Sequence, residues 1–224
     1  MQPFTLRTFR QDDLDALVKH ANDPTVAAHL TDAFPHPYTE ANGRAFLQEA
    51  IKDVPLRRCI DIDGECCGAI GLHPKTDLWR QNMELGYWLA KGHRGKGIMT
   101  EAIRQMVELG FAEFQEITRI YATPFGSNIA SQKALEKAGF VLEAKLIGTL
   151  VKNGKVEDEW IYAVRRSSIQ EHPSRTLWSG NMDQFAPCPE GPVTPACGTT
   201  APPSCKAIDA VTPTATLSGT MGLT

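Results

Sequence analysis

Residues 85–102 read Leu85-Gly86-Tyr87-Trp88-Leu89-Ala90-Lys91-Gly92-His93-Arg94-Gly95-Lys96-Gly97-Ile98-Met99-Thr100-Glu101-Ala102. A short apolar segment leads into a glycine-rich basic turn, and a helical pattern begins where the turn ends. Gly95 and Gly97 carry no Cβ, so the backbone can turn tightly there and approach a ligand closely. The first amides of a helix lack partners within it, and the helix dipole adds partial positive charge at the same end. The segment therefore predicts a phosphate or pyrophosphate site, to which Arg94 and Lys96 add full positive charges.

The glycine motif alone is a weak signal, and an ordinary turn between a strand and a helix is its alternative. The motif is not a P-loop, because no Gly-Lys-Ser/Thr follows at the required spacing. It is not a dinucleotide fingerprint either, because Thr100 occupies the place of the third glycine. The choice between an anion site and a plain turn therefore depends on what surrounds the motif.

Length and composition indicate one globular domain with an appendage. The chain has 224 residues and a formal net charge of −3 at pH 7, so no general attraction to nucleic acid or to an anionic membrane is expected. No apolar run is long enough to cross a bilayer, and the first residues lack the layout of a secretory signal. The six cysteines form no Cys-x-x-Cys pair and are interpreted as reduced thiols, which favours a cytoplasmic protein. No histidine spacing suggests a metal site.

Hydrophobic periodicity divides the chain into strands and helices. Strands are expected at 5–9, 58–62, 66–73, 83–89, 118–123, 141–151 and 156–164. Helices are expected at 12–21, shortly after Asp23-Pro24, and at 40–51, 98–114 and 128–138. Asp63-Gly64 and Asn153-Gly154 predict hairpin turns, and Gly139 predicts a left-handed helix cap. Strands on either side of a helix are expected to be parallel and hairpins antiparallel, which predicts a mixed sheet.

Several segments in this order resemble the GNAT superfamily of acyl-CoA-dependent N-acetyltransferases. Within it they resemble the RimJ/RimL-like branch, named for enzymes that acetylate ribosomal-protein N-termini. The segments are 85–89, 94–102 and 128–140, preceded by Leu6-Arg7, Asp12-Asp13 and Ala21-Asn22-Asp23-Pro24. The resemblance covers about residues 4–165. It implies the GNAT fold, an α/β (α+β) domain with a mixed central sheet of about six to seven strands, flanking helices and splayed central strands.

The resemblance also implies acetyl-CoA as the cosubstrate and no metal. The family's Arg/Gln-x-x-Gly-x-Gly/Ala motif falls on Arg94, Gly97 and Met99, where methionine replaces the usual small residue. Backbone amides there would hold the CoA pyrophosphate, and the pantetheine arm would lie between the splayed strands, 83–89 and 120–123. The implied cofactor-binding residues are Leu89, Arg94, Gly95, Lys96, Gly97, Ile98, Met99, Thr100, Asn128 and Ser131.

Amine acetylation needs a neutral amine, a donor to the developing oxyanion and a proton for the departing thiolate. Many family members supply that proton from a tyrosine seven residues after the asparagine, where this chain has Leu135. The resemblance implies that Ser131 lies near the thiol instead, as a hydrogen-bond donor or water relay. Its alternative role is to fill a small site on the first helical turn.

Glu84 is the candidate base, and its alternative is an exposed strand carboxylate paired with a lysine or arginine. Asp158 is a second, weaker candidate for the base, because it resembles a recurrent aspartate of this branch. The resemblance also implies that the loop carrying Asn22, Phe34 and Tyr38 lies at the mouth of the acceptor site. With the two carboxylates, the expected substrate-binding residues are Asn22, Phe34, Tyr38, Glu84 and Asp158.

Two functions follow from these observations. The first is acetyl transfer from acetyl-CoA to a primary amine, which is either a protein N-terminus or a small molecule. The second is a catalytically silent acyl-CoA-binding sensor or scaffold, which Leu135 keeps open. No nucleic-acid or membrane partner is expected, and the sequence does not choose between a monomer and a homodimer. The acetyltransferase domain is expected to span 1–166, followed by a Pro/Thr/Ser-rich, disordered tail at 167–224 without catalytic residues.

Overall fold

The computed structural model describes residues 2–53 and 56–166. Within these residues the strands are β1 Thr5–Arg7, β2 Arg57–Ile62, β3 Glu65–Pro74, β4 Asn82–Leu89, β5 Arg119–Ala122, β6 Val141–Lys152 and β7 Lys155–Arg165. The α-helices are α1 Leu14–Ala21, α2 Pro24–Ala27, α3 Glu40–Ala50, α4 Ile98–Glu113 and α5 Ile129–Lys137. Nowhere in this part of the chain is a helix both long enough and apolar enough to cross a bilayer. The predicted tail, 167–224, lies outside the described residues.

The seven strands form one sheet in the order β1-β2-β3-β4-β5-β7-β6. Only β4 and β5 pair in parallel, and the other neighbours are antiparallel, so the predicted mixed sheet is confirmed. The expectation that strands flanking helices are parallel holds for β4 and β5 but is wrong for β1 and β2. The single helix α4 returns the chain to the end of the sheet where β4 began, so β4 and β5 run in the same direction. Three helices, α1, α2 and α3, separate β1 from β2, and the chain enters β2 from the opposite end.

The predicted turns and caps occur where their residues allow positive backbone angles. Gly64 has φ 88° in the β2–β3 hairpin and Gly154 has φ 75° in the β6–β7 hairpin. Gly139, with φ 96°, follows the end of α5. Thr39 caps α3 by accepting a hydrogen bond from the Asn42 amide. These local signals explain why the element boundaries follow the sequence pattern closely.

The two faces of the sheet carry separate hydrophobic cores. Alternate residues of a strand point to opposite faces, so Ile60 joins the core beneath α4 and α5 while Cys59 joins the core beneath α1 and α3. Met106 of α4 is fully buried in the first core, and Leu17 of α1 in the second. Burying each such side chain contributes about 1.5–3 kcal/mol. Both layers therefore hold β4 rigidly at the centre of the molecule.

The parallel strands β4 and β5 separate after three residue pairs. Their pairing ends at Glu84 and Tyr121, although β4 continues to Leu89. The chain beyond β5 follows β7 instead, where the Trp160 amide donates to the carbonyl of Pro124 at 3.0 Å. The second half of β4 therefore has no strand partner on this side among the described residues. This confirms the splayed central strands and leaves an opening in the sheet.

Candidate active site

The glycine-rich turn lies at the N-terminus of α4, beside the opening between β4 and β5. Gly95 and Gly97 both adopt positive φ, 74° and 82°, and Gly97 is the N-cap of the helix. The first bond of the helical ladder runs from the Glu101 amide to the Gly97 carbonyl at 3.2 Å. The amides of residues 98–100 therefore precede the ladder and have no partner within the helix. A Cβ added at Gly95 would meet no other atom within 4 Å, so the space beside the turn is open.

The two basic residues of the turn have different surroundings. The Arg94 guanidinium donates from Nε to the Leu89 carbonyl at 2.9 Å and from Nη1 to Thr25 Oγ1 at 3.1 Å. These bonds tie the turn to the end of β4 and to α2. Lys96 donates from Nζ to Gln2 Oε1 at 3.1 Å. Arg94 thus combines a fixed position with its charge.

A cleft of about 360 Å³ opens over this turn, and we call it the amide cleft. Its walls come from α2, the end of β4, the start of α4 and the start of α5. Every cofactor-binding residue implied by the sequence lines it except Lys96. Those residues are Leu89, Arg94, Gly95, Gly97, Ile98, Met99, Thr100, Asn128 and Ser131. The structure therefore brings together two segments that lie about thirty residues apart in the chain.

The first turn of α5 forms the wall opposite β4. The Asn128 side chain caps the helix by accepting a hydrogen bond from the Ser131 amide at 3.2 Å. Gln132 is 4% exposed and donates from Nε2 to the carbonyls of Phe125 and Gly126. These bonds fix the position of the segment that leads into α5. Ser131 Oγ lies 2.6 Å from Tyr87 Oη, across the opening in the sheet. Burial raises the pKa of Tyr87, so its hydroxyl stays protonated at neutral pH.

A second cleft, of about 720 Å³, lies on the α1 and α3 side, and we call it the aromatic cleft. Phe34 stacks on Tyr38 with ring centroids 5.1 Å apart and meets Trp88 edge-on at 6.3 Å. Phe34, Tyr38 and Glu84 all line this cleft, as expected for acceptor-side residues. Tyr87 and Trp88 line both clefts, so the two spaces meet at the second half of β4.

Two of the expected acceptor residues lie outside the lining of both clefts. Asn22 accepts a hydrogen bond at Oδ1 from the Tyr38 amide at 2.8 Å, so it holds the loop that carries Phe34 and Tyr38. Asp158 accepts at Oδ1 from the Gly148 amide at 2.9 Å and shapes the β6–β7 ribbon. Each of these side chains accepts a hydrogen bond from a backbone amide and so positions a neighbouring segment, and neither lines the amide cleft or the aromatic cleft.

Glu84 lies at the wall of the aromatic cleft and is also paired with a lysine, so features of both interpretations left open by the sequence are present. Its carboxylate pairs through Oε2 with Lys75 Nζ at 2.5 Å, and the two side chains are 34% and 35% exposed. The hydrogen bond to Glu84 raises the pKa of Lys75. At the same time Glu84 lines the aromatic cleft. The ion pair holds the carboxylate at the cleft wall, and Oε1 has no hydrogen bond within the described residues.

Sequence reasoning named neither His73 nor Tyr87 as a site residue. His73 lies across the ladder from Glu84, in register between β3 and β4, and lines the aromatic cleft. Although much of its side chain is exposed, the cleft walls desolvate the ring and lower its pKa, and the charge of Arg57 lowers it further. The hairpin register could have found His73. No local signal could have found the contact between Tyr87 and Ser131, which lie 44 residues apart.

Comparison with known proteins decides the family. The model of the acetyltransferase (GNAT) domain matches residues 4–141, more than half of the chain. The chain belongs to the GNAT family. In this GNAT domain, two of the segments that carried the resemblance lie on the splayed strand β4 and on the glycine-rich turn before α4, which we call the α4 turn.

Related proteins support the RimJ/RimL-like branch. The Putative ribosomal N-acetyltransferase YdaF of Bacillus subtilis (strain 168) is 36% identical over 102 residues, which is 46% of this chain and 55% of YdaF. The ribosomal-protein-serine acetyltransferase of Escherichia coli (strain K12) is 27% identical over 101 residues, 45% of this chain and 55% of the relative. The chain thus spans about half the length of these curated relatives. A solved structure of RimL in complex with coenzyme A has the same fold, with TM-score 0.63 and 20% identity, over 74% of this chain and 95% of RimL.

Proposed function

We propose that this GNAT protein transfers an acetyl group from acetyl-CoA to a primary amine. The observation that carries the proposal is the junction of the two clefts at Tyr87 and Trp88. On one side of the junction lie unpartnered amides at a helix N-terminus, which suit a diphosphate. On the other side lies a carboxylate among aromatic rings, which suits an amine. An acyl donor and an amine held in these two clefts would meet at β4.

The residues of the amide cleft fit coenzyme A. The amides of residues 98–100 and the open space at Gly95 can receive the diphosphate, and Arg94 supplies a positive charge beside them. The unpaired edge of β4 offers backbone groups to the amides of the pantetheine arm. Bound there, acetyl-CoA supplies an acetyl thioester. The RimL structure, solved with coenzyme A, supports this assignment.

On the acceptor side, Glu84 takes up a proton from the amine, directly or through a water molecule. An amine must be neutral to attack a thioester, so a nearby base raises the rate. Phe34 and Trp88 would pack against the organic part of the acceptor. Because the relatives are named ribosomal acetyltransferases, we favour a protein N-terminus over a small-molecule amine as the acceptor.

On the sulfur side, Ser131 supplies a hydroxyl at the start of α5. It lies in the amide cleft, with its backbone amide held by Asn128. Because the pairing of β4 with β5 ends at Glu84, a backbone amide on this edge would be able to donate to the developing oxyanion. The chain thereby offers a base for the amine, a donor to the oxyanion and a hydroxyl close to the sulfur.

A silent acyl-CoA-binding module is the second candidate function. Leu135, at the position where many relatives have the acidic tyrosine, is fully buried and has no proton to give. Glu84 is neutralised by Lys75, as in many structural ion pairs. Both observations would be expected of a domain that binds coenzyme A without turnover.

Release of free thiol from acetyl-CoA tests the choice between the two functions. The acceptors are a panel of peptides with free N-termini and a panel of small amines, and calorimetry measures CoA binding in parallel. Turnover with any acceptor supports the transferase, with acetylated product identified by mass spectrometry. CoA binding without turnover on either panel would favour the silent module.

Glu84→Gln tests the base. The variant is expected to lose about 10²-fold or more in kcat and to flatten the acidic limb of the rate–pH curve, while CoA affinity is unchanged. Glu65→Gln is the matched control, because Glu65 is also paired with a lysine, at 2.7 Å, and lines neither cleft. A parental pH profile in Glu84→Gln would remove Glu84 from the mechanism.

A further inference from the structure

The departing sulfur needs a proton, and α5 carries no acidic side chain at the expected place. Seven residues after Asn128 stands Leu135, which is fully buried in the core. Ser131 faces the cleft, but a serine hydroxyl is a poor acid by itself. A second group close to Ser131 is therefore required if the thiol is to leave as a neutral species.

Tyr87 reaches that position from the opposite wall of the cleft. Its Oη lies 2.6 Å from Ser131 Oγ, within the range of a good O–H···O hydrogen bond. Ser131 is held by the Asn128 cap and Tyr87 by the central strand β4, so the contact joins two rigid elements. Tyr87 also lines both clefts, which places it where an acyl donor and an acceptor would meet.

We propose that the hydroxyl of Tyr87, positioned by Ser131, is the proton donor to the sulfur leaving acetyl-CoA. This inference rests on the proposed acetyl transfer. In the step, the amine nitrogen forms a bond to the acetyl carbon and the carbon–sulfur bond breaks. The sulfur takes the Tyr87 proton, and the amine gives up its own proton to Glu84 or to water. Glu84 then releases its proton to solvent and Tyr87 regains one from solvent, so that atoms and charges balance.

The chemistry of the contact suits this role. A tyrosine hydroxyl can donate to the sulfur while it accepts from Ser131. Burial raises the pKa of Tyr87, whereas the hydrogen bond with Ser131 lowers it and so eases the transfer of the proton to the sulfur. Tyr87 thus takes the place of the acid that α5 lacks, from a strand instead of a helix.

Binding of two ligands tests the contact between Tyr87 and sulfur without any turnover. Calorimetry compares coenzyme A with desulfo-coenzyme A, which lacks the sulfur, in the parent protein and in Tyr87→Phe. The variant is expected to bind coenzyme A about 2- to 10-fold more weakly, the value of one hydrogen bond, and desulfo-coenzyme A equally well. Equal changes for both ligands, or none, would overturn the proposal.

Kinetics supplies the second measurement, with a matched control. Tyr87→Phe is expected to lower kcat about 10²-fold and to leave KM for acetyl-CoA within about threefold, as removal of a general acid does. Tyr162→Phe is the control, because its hydroxyl also makes a side-chain hydrogen bond, 2.9 Å to Glu136, but lines neither cleft. An equal loss of kcat in the two variants would mean that only packing was lost and would overturn the proposal.

Ser131→Ala and the double variant complete the test. Because the two hydroxyls act as one unit, Tyr87→Phe/Ser131→Ala is expected to be no slower than the slower single variant. Losses that multiply would show independent roles and contradict the pairing. If the parent protein binds coenzyme A but acetylates no amine, the proposed function fails, while the comparison with desulfo-coenzyme A still decides whether Tyr87 contacts the sulfur.

Discussion

Replacing Gly97 with glutamate should separate the strain of the α4 turn from its charge. Gly97 has φ 82°, so any side chain there costs about 1–2 kcal/mol of folding free energy. A carboxylate at this helix N-terminus returns about 0.3–1 kcal/mol through the helix dipole. In the binding site the same carboxylate opposes a diphosphate. At a separation of about 6 Å and an effective dielectric constant of about 20, each pair of charges repels by about 3 kcal/mol, or about 100-fold in affinity.

Gly97→Gln is the control, since it carries the same backbone strain and bulk without the charge. Urea denaturation should place Gly97→Glu between the parent and Gly97→Gln in stability. Calorimetry with coenzyme A should give the reverse order for the two variants, with Gly97→Glu about 100-fold weaker than Gly97→Gln at low salt. The difference should shrink as salt is added.

Gly139→Ala is a control for backbone strain at a position outside the binding site. Gly139 follows the C-terminus of α5 and has φ 96°, and a Cβ added there would stand in open space. The variant should lose stability and keep its affinity for coenzyme A. A folded Gly97→Glu protein that binds coenzyme A as tightly as the parent would refute the diphosphate site, and with it the placement of the thioester beside β4.

Three further predictions concern stability. Arg7→Met should lower the free energy of unfolding by about 3–5 kcal/mol, because it strands the buried carboxylate of Asp13, now paired at 2.6 Å; a loss below about 1 kcal/mol in urea denaturation would contradict this. Gly68→Ala should cost about 1–3 kcal/mol in the same assay, because its Cβ would stand 2.6 Å from the Trp88 carbonyl oxygen, and parental stability would be the contrary result. Burial raises the pKa of Tyr38 and of Tyr162 to about 12, above the ordinary value of 10.0, so the fold favours their neutral forms. Stability from these groups should be fully present below pH 10 and lost as the pH rises to 12. Circular dichroism should report this loss, and ionisation of Tyr38 or Tyr162 at pH 10 in the folded protein, read as the absorbance at about 295 nm that Tyr38→Phe or Tyr162→Phe removes, would count against it.

Residues close in the chain carried most of the information about the elements of the fold. The apolar stripe of α4 depends on the spacing of residues along one helix. The Asp63-Gly64 and Asn153-Gly154 turns and the Gly139 cap each depend on a few neighbouring φ and ψ angles. Side-chain size and backbone freedom decide those angles locally. The glycine turn before α4 belongs to the same class, so residues 94–100 suggest a candidate anion site, but the motif alone does not distinguish that site from a plain turn.

Tertiary packing decided how the elements meet. The end of the β4–β5 pairing at Glu84, the partnership of Glu84 with Lys75, and the contact of Tyr87 with Ser131 all join residues that the sequence pattern leaves independent. These contacts depend on how the chain after β5 diverges from β4 and pairs with β7, and on how α5 packs beside the gap between β4 and β5. Such contacts form only when a sheet and two helical layers pack at one relative position, because a hydrogen bond needs its atoms within a few tenths of an ångström. Hydrophobic periodicity sets which face a residue occupies, and it cannot set that distance.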